Sequence, residues 1–105
     1  MCNTVVTALF SDPPLRVGDI PVRNRVFLAP MSGVTDAPFR RQVARLGAGL
    51  VISEMTASDA LAGGDPEARL RAEGDGVGLH VVQLAGCEAF WMAEGARIAS
   101  RRLWH

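Results

Sequence analysis

Three apolar runs, Val26–Ala29, Gly49–Met55 and Val77–Gly86, recur along 105 residues, and each leads into residues with helical spacing. Strands separated by that much chain return through right-handed crossovers and pair in parallel, not through tight hairpins. No other feature constrains the chain as much. The alternation predicts an α/β fold of about three βα units around a parallel sheet. "VFLA", which lacks polar alternation and ends at Pro30, further predicts a strand buried on both faces.

The punctuation between these runs fixes the smaller expectations. Gly18-Asp19 predicts a turn between short extended pieces, Leu15–Val17 and Ile20–Val22. Thr35 or Asp36 is a good helix N-cap, Pro38 is tolerated in the first turn, and Gly47 supplies the stop. Phe39, Val43 and Leu46, at i, i+4 and i+7, predict the inward face of that helix. "ASDALAGG" reads as a short helix ended by glycines, and residues 65–76, "DPEARLRAEGDG", as a charged, solvated connection. A last helix over Glu88–Ser100 carries an apolar stripe of Met92, Ala96 and Ala99, flanked by Trp91 and Ile98. Residues 1–13 read as a loose tail before a single domain spanning 14–105.

Composition removes several function classes. Eleven basic residues, all arginine, balance eleven acidic ones, so the totals give no electrostatic footprint for nucleic acid. Cys2 and Cys87 lie far apart in no metal spacing, which predicts neither a disulfide framework nor a metal site. The first residues lack the charged and apolar regions of a signal peptide, and no run approaches the ~18 apolar residues of a membrane span. The expected setting is reduced and cytoplasmic, without a membrane.

In α/β folds, ligands bind at the carboxyl ends of parallel strands. "APMSG", "SEM" and "QLAG" stand there. Turns of Pro, Gly and Ser let backbone groups approach a planar ligand, although "PMSG" also suffices as a plain strand-ending turn. Gln83 carries a donor and an acceptor suited to a heteroaromatic edge, or to a loop carbonyl. Glu54 is a candidate base or an arginine-paired carboxylate. His80, opposite Gln83 by strand alternation, is expected to pack against a helix. Cys87 is expected to be a small buried thiol, and Trp91 and Met92 core residues.

"PLRVGDIPVRNRVFLAPMSGVTDAPFRRQVARLGAGLVISEM" and "VVQLAG" together resemble the opening of a bacterial-type tRNA-dihydrouridine synthase. The most specific part is "APMSGVTDAPFRR", and the likeness runs from about Pro14 to Ala99. The resemblance implies the N-terminal part of a TIM (β/α)8 barrel holding FMN at the strand ends. It also implies reduction of a tRNA uridine to 5,6-dihydrouridine, with NADPH as reductant and tRNA as partner. Carried over by position, Pro30, Met31 and Ser32 line the flavin ring and Gln83 hydrogen-bonds its edge.

The same family uses a cysteine in a Cys-Pro loop to protonate the uracil, and no Cys-Pro occurs in this sequence. No catalytic residue is therefore assigned. An eight-unit barrel typically takes ~250 residues, so three units read as an incomplete, truncated or frameshifted form, inactive alone. Two other readings stay open. One is another FMN-dependent TIM-barrel oxidoreductase, against which "TDAPFRR" after "PMSG" argues; the other is a non-enzymatic barrel fragment that pairs with a partner.

Overall fold

The computed structural model describes residues 15–74 and 76–101; the expected N-terminal tail lies outside them. Strands β1 (Leu15–Val17) and β2 (Ile20–Val22) form an antiparallel hairpin with Leu15 opposite Val22. Its turn contains Gly18 at φ 58°, a left-handed conformation that glycine adopts without a Cβ penalty. The parallel sheet then follows in the order β3 (Phe27–Leu28), β4 (Leu50–Ile52), β6 (His80–Val81). Leu28 pairs with Val51, and Val51 with His80, so the three strands end on one side.

A further parallel pair, β5 (Thr56–Ala57) and β7 (Leu84–Ala85), continues the second and third runs. The third run is thus two short strands and not one. Ile52 pairs with Val81 and Thr56 with Leu84, so four residue steps on one side face three on the other. The extra residue makes a bulge, which bends a strand and re-aims its side chains. Glu54 sits inside it.

Helix α1 (Ala37–Arg45) begins as the sequence predicts. The Asp36 side chain accepts a hydrogen bond from the Phe39 amide, and Gly47 follows the C-cap at φ 107°. Its inward face differs from the expected one. Ala37 and Arg40 are buried, whereas Phe39 is 40% and Leu46 81% exposed. The periodicity of apolar residues misses this face because its central member is a charged side chain. Helix α2 (Ser58–Ala62) ends at Gly63 as expected.

Residues 65–76 are not a solvated connection throughout. Helix α3 (Pro66–Ala72) is capped by Asp65, whose carboxylate accepts from the Ala68 amide, with Pro66 in the first turn. Ala68 and Ala72, four apart, bury its inner stripe. Helix α4 (Ala89–Arg101) closes the described chain. It crosses α2 closely at Gly95, where an added Cβ would lie 3.1 Å from the Ser58 side chain.

The core is small. Leu61, Ala68, Ala72 and Ala99 cluster with the partly buried Val82, Leu84 and Ile98. Strand β3, expected to be buried on both faces, leaves Phe27 45% exposed. It is the edge of the three-stranded sheet, with β4 alone beside it. Trp91 and Cys87 are also exposed, contrary to the buried roles expected for them, and Met92 is half-buried.

The amino ends of the strands are tied by Asn24. Its side chain donates to the Gly47 carbonyl (2.7 Å) and accepts from the Val26 amide (2.8 Å), while the Gly49 amide donates to the Val26 carbonyl (2.8 Å). A Cβ on Gly49 would lie 2.6 Å from the Asn24 carbonyl oxygen. We expect Gly49→Ala to lower unfolding free energy by about 1–3 kcal/mol through overpacking. Gly78→Ala, where nothing lies within 4 Å, is the control and leaves stability nearly unchanged; urea denaturation of both variants checks the pair.

Candidate functional site

The turn after β3 is fixed from both flanks. On one side the Thr35 hydroxyl accepts from the Met31 amide (2.9 Å) and donates to the Met31 carbonyl (3.2 Å). The Val34 and Thr35 amides donate to that same carbonyl. On the other side the Gly33 amide donates to Glu54 Oε1 at 2.6 Å. Between them Ser32 is exposed and makes no hydrogen bond among the described residues. Pro30 is half-buried and Met31 43% exposed.

Gln83 reaches the same end of the sheet from the third run. Its amide donates to Ser53 Oγ (3.0 Å) and its carbonyl accepts from the Thr56 amide (2.9 Å). The side-chain amide is exposed and bonds no loop carbonyl among the described residues. The backbone of Gln83 is thus fixed at the strand end, while its side-chain donor and acceptor are not used within the described residues.

Glu54 is buried, at 7% exposure, and makes no arginine ion pair among the described residues. One of its oxygens already accepts a short amide hydrogen bond. Its carbonyl accepts from the Ser53 and Thr56 hydroxyls at 3.0 and 3.2 Å. The candidate base is therefore a tie between loops.

Sequence reasoning missed Arg40. Its side chain is fully buried and donates to the carbonyls of Thr35 (2.5 Å), Arg71 (3.0 Å) and Glu73 (2.6 Å). Burial pushes its pKa down, opposed chiefly by the negative charge of Glu54. His80 is the second helix-end ligand, its Nε2 donating to the Ala72 carbonyl at 3.2 Å. Two side chains from elsewhere in the chain thus bind three successive carbonyls at the α3 C-terminus, which a helix otherwise leaves without partners. Nothing local to residues 66–73 signals this.

Beside the turn a cleft of about 450 Å³ is lined by Gly33, Asp36, Pro38, Arg41, Glu54 and Leu70, among others. Arg41–Glu73 (3.3 Å) and Arg71–Glu67 (2.9 Å) ion pairs border it. Pro30, Met31, Ser32 and Gln83 do not line it. The sequence-predicted site is thus the open end of the sheet and not this cleft. Among the described residues no group of His, Cys, Asp and Glu could hold a metal ion, and no helix is long and apolar enough to cross a membrane.

Burial lowers the His80 pKa from the usual 6.5 to about 4. The unfolded chain then takes up the proton first as pH falls, so stability is full above about pH 6.5 and declines toward pH 4. We expect the melting temperature to fall over that window, and His80→Gln, which keeps a donor without a titrating ring, to show a smaller fall. Thermal melts from pH 7 to 4 on both proteins measure the difference, which separates His80 from the carboxylates they share.

Comparison with known proteins adds independent information. A family model described as dihydrouridine synthase (Dus) matches residues 27–105. A probable tRNA-dihydrouridine synthase of Rhizobium leguminosarum bv. phaseoli is 58% identical over 79 residues, covering 75% of this chain and 25% of that protein. One from Rhodobacter capsulatus is 54% identical over 77 residues, covering 71% and 24%. The tRNA-dihydrouridine synthase B of Escherichia coli K12 is 42% identical over 85 residues, covering 80% and 26%. The chain thus spans about a quarter of the length of the curated relatives it matches. No solved structure matches it significantly.

Proposed function

The chain belongs to the dihydrouridine synthase family, and from that premise we propose that it supplies the first flavin-binding strand ends of an enzyme reducing uridine in tRNA to 5,6-dihydrouridine. The observation that carries this reading is the shared open end of β3, β4 and β6, where an unbonded, exposed Ser32 and an unbonded, exposed Gln83 side chain stand on fixed backbone. These groups fit a flavin ring: small residues allow close approach, and Gln83 offers both a donor and an acceptor to its polar edge. Pro30, Met31 and Ser32 would hold the ring and Gln83 its edge. FMN, when bound and reduced by NADPH, supplies the hydride chemistry; this chain's residues bind and orient.

The β3 edge and its exposed Phe27 suit strands of a complete TIM barrel, of which residues 14–105 form the opening part. The reaction belongs in the cytoplasm with its tRNA substrate. No Cys-Pro loop occurs in the 105 residues, so the acid that protonates the second carbon must come from elsewhere. A positioned general acid typically contributes ~10²–10⁴-fold.

Replacing the corresponding segment of a full-length relative with residues 15–101 tests the reading. The chimera is expected to form dihydrouridine on unmodified tRNA with NADPH. Gln83→Ala in it should weaken FMN binding by about tenfold, one net hydrogen bond's worth, while His80→Ala lowers stability and spares flavin affinity. A chimera that folds but neither binds FMN nor turns over would overturn the assignment. The 105-residue polypeptide alone, with FMN and NADPH in excess, is expected to give no dihydrouridine.

A further inference from the structure

We propose that Glu54 is a positioning residue: its buried carboxylate sets the backbone shape that the Met31–Ser32 turn presents to a ligand, and couples that turn to Gln83. As a statement about flavin it rests on the functional reading above; as a statement about the turn it does not. The carboxylate grips the Gly33 amide at 2.6 Å, a charge-assisted bond at the short end of the range. Gly33 adopts φ 76°, so the grip holds a conformation that only glycine takes without strain. Thr35 fixes Met31 from the opposite flank, which leaves Ser32 between two anchors.

The link to Gln83 is continuous. The Gln83 amide donates to Ser53 Oγ, Ser53 Oγ donates to the Glu54 carbonyl, and the Glu54 side chain holds Gly33. The bulge makes this possible. Four steps between Ile52 and Thr56, against three between Val81 and Leu84, give Glu54 a place with no counterpart across the ladder. The Ser53 and Thr56 hydroxyls hold its carbonyl there. Spacing between the two halves of the site is thereby set by one residue that need touch no ligand itself.

Amide hydrogen exchange and chemical shifts of the intact 105-residue chain test this in Glu54→Ala, Glu54→Gln and Glu54→Asp variants. Glu54→Ala is expected to speed exchange at Gly33 by about tenfold or more, while amides in β4 and α4 keep wild-type rates, a local opening and not a global one. Glu54→Gln retains an oxygen at the same reach and should restore protection. Glu54→Asp keeps the charge but falls one methylene short, so it should resemble Glu54→Ala; it stands in if the alanine variant does not fold. Titration with millimolar FMN is expected to shift the Ser32 and Gln83 amides of the wild type, and those of Glu54→Ala several-fold less. Unchanged Gly33 exchange, equal acceleration at every amide, or no rescue by glutamine would each overturn the positioning role. If the wild type shows no FMN-dependent shifts, the exchange rates still decide the role of Glu54, and the chimera described above decides the flavin reading.

Discussion

The guanidinium of Arg40 is the interaction on which the rest of the molecule depends. A fully buried cation is costly unless nearly every donor finds an acceptor. Here the acceptors are the Thr35 carbonyl just ahead of α1, five residues away in sequence, and two carbonyls at the end of α3, 31 and 33 residues away. Nε remains buried without a hydrogen bond. The Glu54 charge offsets part of the desolvation, and Glu54 in turn holds the turn after β3. One side chain therefore locks the face that α1 turns inward to the end of α3, close to the Glu54 charge that holds the turn after β3.

Much of the framework was legible in the sequence because its signals are local. Gly18-Asp19, the Asp36 cap and the Gly47 stop each act within four residues, and all three stand where read. That the three runs pair in parallel followed from their spacing, as the register of β3, β4 and β6 shows. The face of α1 was not legible, because apolar periodicity counts Phe39, Val43 and Leu46 and cannot see that Arg40 has acceptors waiting in a distant helix. Helix α3 did carry a signal, Asp65-Pro66-Glu67 as cap and first turn, which the density of charge in 65–76 obscured.

The candidate site divides along the same line. That the turn at Pro30–Ser32 and Gln83 stand at carboxyl ends of parallel strands follows from the strand pattern and the parallel rule. That Glu54 ties them does not, since its partner lies 21 residues upstream and the bulge that lifts it out of the ladder depends on register. The buried-thiol expectation for Cys87 failed for a plainer reason. Cys87 lies ahead of α4, before any helical face exists to bury it.

Where burial falls explains why this end of the sheet is so well defined. The apolar core is built of alanines and a few aliphatic side chains, while Val26, Phe27, Val34 and Met55 remain exposed. Thr35, Ser53, Glu54, Thr56 and Ser58 are buried instead, at or just beyond the strand ends. Each of them bonds backbone groups, and such groups are expensive to leave unpaired. Apolar contacts tolerate sliding; hydrogen bonds to backbone groups do not, because they lose strength within a fraction of an ångström and with misalignment. A polar layer at the strand ends therefore fixes loop geometry before any ligand arrives, and the ordering cost of binding is met during folding. The exposed Val26 and Phe27, at the strand β3 edge and away from the turn, carry no such constraint, which leaves them free to pack against other surfaces without disturbing Gln83.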